Sequence, residues 1–147
     1  SRFSRGPPCM ATYLHIVLLG IPSKAIPLQV QMPRRVHVSG LPELNYSQLT
    51  ALKTVLTSPL SLIQGPPGTG KTVTSASLIY HLVQMKRGKI LVCAPSNVAV
   101  DQLTEKLHRT GLKVVRLVSR MRETISSHVR FLALPEQVAQ VEDFTAC

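Results

Sequence analysis

Leu60-Ser61-Leu62-Ile63-Gln64-Gly65-Pro66-Pro67-Gly68-Thr69-Gly70-Lys71-Thr72 runs from a short apolar segment into a glycine-rich turn, and a stretch with helical spacing follows at once. The last eight residues fit the pattern G-x-x-x-x-G-K-[ST] in the strand-to-helix setting that the pattern requires. Glycines at Gly65, Gly68 and Gly70 let backbone N–H groups turn inward around phosphates, and the helix that follows adds its positive N-terminal end. Pro66, Pro67 and Thr69 complete the loop. Lys71 then reaches the β- and γ-phosphates, while the Thr72 hydroxyl suits Mg²⁺, which takes phosphate, hydroxyl and water oxygens. A plain Gly/Pro turn ahead of a solvated lysine is the alternative, and the two fixed glycines with the Lys-Thr pair argue against it. The expectation is a nucleoside-triphosphate site.

Working outward, Ser47 is a candidate cap for a helix on which Leu49, Leu52, Val55 and Leu56 share one apolar face and which Pro59 ends. Leu60 to Gln64 reads as a strand. After the loop, Val73, Ala76, Tyr80 and Val83 recur at helical spacing, with Lys86 and Arg87 near the C-terminal end and Gly88 at the C′ position. Ile90 to Cys93 is a continuous apolar run, read as a fully buried parallel strand. Pro95-Ser96-Asn97 open another helix, with Val100, Leu103 and Leu107 on one face and Gly111 at its end, and Leu112 to Val118 supplies a third strand. The order β-loop-α-β-α-β predicts an α/β fold with a parallel sheet and helices packed on its faces.

At 147 residues and 44% apolar, with 4% aromatics, the chain suits a single domain with an aliphatic core. Seventeen Lys and Arg against seven Asp and Glu give a net charge of +10, which points to a polyanionic partner, nucleic acid ahead of membrane. Three widely spaced cysteines, Cys9, Cys93 and Cys147, suggest neither a disulfide framework nor a paired metal motif and fit a reducing cytosol. Ala11 to Ile21, preceded by Arg2 and Arg5, has the length and basic flank of a secretory leader, but no small-residue cleavage site follows and Pro22 and Pro27 intervene. A buried or half-buried strand is the better reading. Residues 22 to 42, with Pro22, Pro27, Pro33 and Pro42, Arg34-Arg35 and Ser39-Gly40, read as an irregular connector. The expected division is a divergent N-terminal segment and connector at 1–40 and a nucleotide-binding unit at 41–147.

Several strings go beyond the loop. Leu41-Pro42-Glu43-Leu44-Asn45-Tyr46-Ser47-Gln48, Pro59-Leu60-Ser61-Leu62-Ile63-Gln64, Val73-Thr74-Ser75-Ala76 and Leu91-Val92-Cys93-Ala94-Pro95-Ser96-Asn97-Val98-Ala99-Val100-Asp101-Gln102-Leu103 resemble the superfamily 1 RNA helicases. Within them they are similar to the up-frameshift (regulator of nonsense transcripts) helicases of nonsense-mediated mRNA decay. Thr110-Gly111-Leu112-Lys113-Val114-Val115-Arg116-Leu117 and Phe131-Leu132-Ala133-Leu134 extend the likeness, which is strong from Leu41 to Leu117 and weaker to about Leu134.

The resemblance implies the first half of a RecA-like P-loop NTPase domain that binds ATP and Mg²⁺, in a cytoplasmic helicase that couples hydrolysis to movement on single-stranded RNA, or DNA, beside mRNA-decay protein partners. It also implies roles by position. Asn45 to Gln48 resembles the Q motif, and Gln48 matches the glutamine that reads the adenine edge; an amide carries both a donor and an acceptor. By pattern alone, Gln48 is equally a solvated residue on a surface helix. Ala94-Pro95-Ser96-Asn97 resembles motif Ia, which places Pro95, Ser96 and Asn97 against the nucleic-acid backbone, although Ser96-Asn97 also suits a simple helix cap.

Lys106, Arg109, Lys113, Arg116, Arg120, Arg122 and Arg130 form a basic series with Glu123 as the acid within its span. This reads either as an RNA-facing surface or as a solvated face, since no aromatic stacking platform is interleaved. Hydrolysis also needs an acid at Mg²⁺, a group that positions water and arginines at the transition state. Glu142-Asp143 is the late acidic pair, behind a poor strand at Val138 to Val141. No catalytic set is complete in these residues, so the expectation is part of a helicase domain that is not a competent helicase alone. The other reading is a non-catalytic nucleotide- or RNA-binding fragment.

Overall fold

A computed structural model describes residues 15–21, 30, 32–33, 35–86, 88–118 and 127–145. The expectations at residues 11–14, Arg34, Arg87, Arg120, Arg122 and Glu123 lie outside the described residues.

Helix α1 spans Tyr46–Thr57. Its cap is Asn45 rather than Ser47: the Asn45 side chain accepts from the Gln48 backbone N–H, and the Gln48 side chain accepts from the Asn45 N–H, both at 2.9 Å. This reciprocal box starts the helix two residues earlier than Ser47 would and meets two orphan donors at once. Leu52 and Leu56 are fully buried, with Leu49 and Val55 half-buried beside them. Truncating Leu52 to alanine would cost about 2–5 kcal/mol.

Helix α2, Lys71–Gln84, leaves the glycine-rich loop directly. Its buried residues are Thr74, Ala76, Ser77 and His81, so the inward stripe is more polar than the spacing of Val73, Ala76, Tyr80 and Val83 predicts, and Val83 is exposed. The His81 Nε2 lies 3.2 Å from the Val36 carbonyl, which supplies a polar partner to a buried ring. The left-handed residue past the helix is Lys86, φ 51°, ahead of the expected Gly88.

Helix α3, Asn97–Arg109, is capped by Ser96, whose hydroxyl accepts from the Ala99 N–H at 3.2 Å. α2 packs against both α1 and α3. A core of Val38, Leu41, Ala76 and Leu107 forms between the connector and these helices, with Ile79, Tyr80, Leu103, Leu112 and Val114 against it.

The predicted strands are extended but, among the described residues, join no sheet. Leu62 is 94% exposed and Leu91 80% exposed, so Ile90 to Cys93 is not the buried strand expected here. A parallel strand is buried only when neighbours pair with both its edges and helices cover its faces. Leu112 to Val118 alone finds a partner: Arg116 bridges to Ala133 in parallel, its N–H donating to Leu132 O at 2.7 Å and its carbonyl accepting from Leu134 N at 3.0 Å. That segment, a 3-10 turn at Arg130–Leu132, runs into α4, Leu134–Thr145, where Gln137 Nε2 donates to Val114 O at 2.9 Å. Glu142-Asp143 therefore lies on a helix, and the weak strand in front of it is helical too. Residues 15–18 are also helical, with Leu18 and Leu19 exposed, and not the strand predicted for that stretch.

One close approach ties the connector to α3. Gly40 has φ +83°, and a Cβ there would sit 2.5 Å from the Arg109 carbonyl oxygen. Gly111 has nearly the same φ, +80°, with open space around it. Gly111→Ala therefore carries the left-handed penalty alone, about 1–2 kcal/mol, whereas Gly40→Ala must also displace backbone. Urea melts of the two variants are expected to place Gly40→Ala clearly below Gly111→Ala, and equal midpoints would contradict the contact.

Candidate nucleotide site and nucleic-acid interface

Three features of the local sequence shape the loop. The prolines Pro66 and Pro67 have no N–H to donate. Gly70 stands at the N-cap of α2 with φ +77°, where a Cβ would come 2.6 Å from Gln48 Nε2. Unlike α1 and α3, α2 has no side chain on its first N–H groups. Those donors are orphans by helix geometry and stand at the positive end of the helix. A helix start so built suits an anion.

The loop carbonyls are met by three side chains. Lys71 Nζ donates to Gly65 O at 2.6 Å and to Pro66 O at 2.8 Å, folding the ammonium back over the loop. Gln48 Nε2 donates to Thr69 O at 3.0 Å. Thr69 turns its own hydroxyl to Pro66 O at 2.8 Å. The amide of Gln48 is thus oriented from both ends, with Oε1 on the Asn45 N–H and Nε2 on a carbonyl. Of its two donors and two lone pairs, one of each remains for a ligand. Thr72 is half-buried on the first turn of α2. One hydroxyl beside a phosphate cradle is a donor that Mg²⁺, a hard cation retaining several waters, accepts. Among the described residues no group of three or more His, Cys, Asp or Glu gathers as a metal site.

The structure brings Gln48, Gly65, Pro66, Thr69, Gly70 and Lys71 together, with Pro67 and Gly68 exposed at the tip and Thr72 just behind. Pro95, Ser96 and Asn97 are exposed at the start of α3. Ser96 does act as the cap, which uses one lone pair of its hydroxyl and leaves the outward side of the turn open.

The basic series divides in a way its spacing hides. Arg109 pairs with Glu105 at 2.5 Å and Arg130 with Glu136 at 2.8 Å, both solvent-exposed pairs that contribute little to stability. Arg116 is neither an RNA-facing nor a solvated residue: it is buried, and its Nε donates to Asp101 Oδ1. Asp101 Oδ2 also accepts from Ser127 Oγ at 3.0 Å. Its acids, Asp101, Glu105 and Glu136, lie just outside the span of the series. Lys113 remains exposed. The Asp101–Arg116–Ser127 cluster was missed in the sequence, because its members are 15 and 26 residues apart and follow no repeat.

Comparison with known proteins bears on the same residues. The AAA domain profile matches residues 43–143. The "Regulator of nonsense transcripts 1 homolog" of Neurospora crassa is 63% identical over 126 residues, which covers 86% of this chain and 12% of that protein. "Regulator of nonsense transcripts 1" of Caenorhabditis elegans is 58% identical over 129 residues, covering 88% and 12%. The "ATP-dependent helicase NAM7" of Saccharomyces cerevisiae is 48% identical over 139 residues, covering 95% and 14%. The chain thus spans a small part of the length of these relatives. With the AAA domain comes the P-loop NTPase fold. The chain belongs to the AAA domain family, in the group of sequences formed by the regulators of nonsense transcripts.

Proposed function

We propose that this chain is the ATP-binding part of an ATP-dependent RNA helicase of the nonsense-mediated mRNA decay type. It acts in the cytoplasm on single-stranded RNA, alongside mRNA-decay proteins, and residues 41–147 are the first part of its RecA-like domain. The observation that carries this reading is the Gln48 amide joined to the phosphate loop at Thr69. A base-reading group and a phosphate-binding loop are held in one rigid piece, as a purine nucleotide requires.

In this reading ATP enters with its phosphates on the N–H groups of Gly68 to Thr72 at the start of α2, the Thr69 N–H giving up its long bond to Pro66 O. Lys71 gives up Gly65 O and Pro66 O for the β- and γ-phosphates, exchanging neutral acceptors for charged ones. The remaining donor and lone pair of Gln48 match the N7 acceptor and N6 donor of adenine, a pairing suited to an amide side chain. Thr72 would hold Mg²⁺, which supplies positive charge against the phosphate oxygens. Thr72 and Lys71 then face the same phosphates from adjacent positions on one helix turn.

The exposed Leu60, Leu62, Leu91 and Leu117, and the buried unpartnered hydroxyl of Ser61, support placing Leu60–Gln64, Ile90–Cys93 and Leu112–Val118 as strands of the parallel sheet of the RecA-like domain. Pro95, Ser96 and Asn97 contact the backbone of a single strand without reading its sequence. Among the described residues, Arg109, Arg116 and Arg130 are committed to carboxylates. In this reading the chain supplies the nucleotide-binding unit, and arginines elsewhere in the helicase neutralise the γ-phosphoryl. Among the described residues no helix is long and apolar enough to cross a membrane.

A nucleotide titration checks the two principal residues. Lys71→Ala is expected to weaken ATP by about 1.5–3 kcal/mol, the range of a charge-assisted hydrogen bond, with GTP weakened alike. Gln48→Ala should weaken ATP more than GTP; an unchanged ATP/GTP ratio would remove Gln48 from base recognition. For nucleic acid, binding to an unlabelled-sequence series of single strands should be independent of sequence. On raising salt, log affinity should fall by about 0.7 per log unit for each phosphate contact. An anisotropy titration that finds no binding at low salt would contradict the RNA assignment.

A further inference from the structure

We infer that the buried pair Asp101–Arg116 positions the nucleic-acid-contacting turn of α3, with Asp101 as a positioning residue for Ser96 and Asn97. This rests on the reading of those two residues as single-strand contacts. Asp101 lies four residues after Asn97, so both project from one face of α3, a turn apart. Its Oδ1 takes the Arg116 Nε and its Oδ2 takes the Ser127 hydroxyl at 3.0 Å. Arg116 is itself well tied: its side chain is 6% exposed, its N–H donates to Leu132 O in the turn before α4, and its carbonyl accepts from the N–H of Leu134, the first residue of α4. At the other end of α3, the Arg109 carbonyl abuts Gly40.

Leu103 and Leu107 pack the C-terminal half of α3 against α2 and the connector, and the Gly40 contact holds the same end. Here the second hold is an ion pair one turn behind Asn97, and it sets the rotation at which the exposed residues Pro95, Ser96 and Asn97 meet solvent. Buried ion pairs are weak evidence of stability, and fixing a register is their best-attested use. The pair faces further charge from the elements around it: Glu105 lies one turn on along α3, held by Arg109 and His128. Arg116 and Asp101 are thus paired with each other and largely buried, which keeps both from a phosphate at the surface.

Two variants of the full 147-residue chain test this, read by anisotropy with a labelled oligouridylate and, in parallel, by fluorescent-ATP titration and thermal melting. Asp101→Asn removes an acid from a chain of net charge +10, so charge alone predicts tighter RNA binding. The double variant Asp101→Leu, Arg116→Met keeps the net charge and fills the site with apolar groups of similar volume, a replacement that folded proteins tolerate. Both are expected to bind the oligonucleotide more weakly, by about tenfold, within the range over which such coupling acts, with nucleotide affinity unchanged. If either folded variant binds RNA as tightly as the parent chain, or if RNA and nucleotide affinities fall by the same factor, the positioning role is overturned. If the parent chain binds ATP but no oligonucleotide, the single-strand reading itself fails and takes this inference with it.

Discussion

The carbonyls of the glycine-rich loop need donors, and the candidate nucleotide site depends on how they are met. Lys71 meets Gly65 O and Pro66 O, and Gln48 meets Thr69 O. Both side chains are tied to helix starts, Lys71 as the first residue of α2 and Gln48 as the third of α1. The loop is therefore held by side chains from the two helices that flank it. Preorganisation matters because donors already aimed at phosphate cost nothing to reorient when it arrives.

The same economy is seen around α3. Burying a polar group costs less when it is paired, and three polar side chains join elements here: buried His81 to the connector at Val36, half-buried Gln137 to Val114, and buried Arg116 to Asp101. Breaking the last by removing one partner would cost about 3–5 kcal/mol, because the other charge stays buried. Apolar contacts supply the cohesion, with Leu52, Leu56, Ala76 and Leu107 at their centre. The polar joints decide how the helices are turned.

What was legible in the sequence is what local physics decides. The loop, the three helices around it and the ends of α3 follow from short-range patterns: a glycine spacing, apolar recurrence, a cap residue and a glycine past the end. The cap of α1 was misplaced by two residues because Asn45 and Ser47 are both good caps, and only the reciprocal bond with Gln48 separates them. Strand pairing is decided less locally, since an apolar run such as Ile90 to Cys93 calls for neighbours that its own residues do not name. Arg116 was misread for a related reason. A basic series counted along the chain says nothing of Asp101, which reaches it only across a helix and a turn. At the site, Lys71 and the glycines were readable from spacing, whereas the link between Gln48 and Thr69 spans 21 residues and follows from the fold.

The most direct test of the central claim is hydrogen–deuterium exchange at the loop amides. If the N–H groups of Gly68 to Thr72 receive phosphate, Mg²⁺-ATP slows their exchange strongly, while adenosine, which has the base but no phosphate, leaves them near the nucleotide-free rate. Equal protection by both ligands, or protection by neither, would contradict the account.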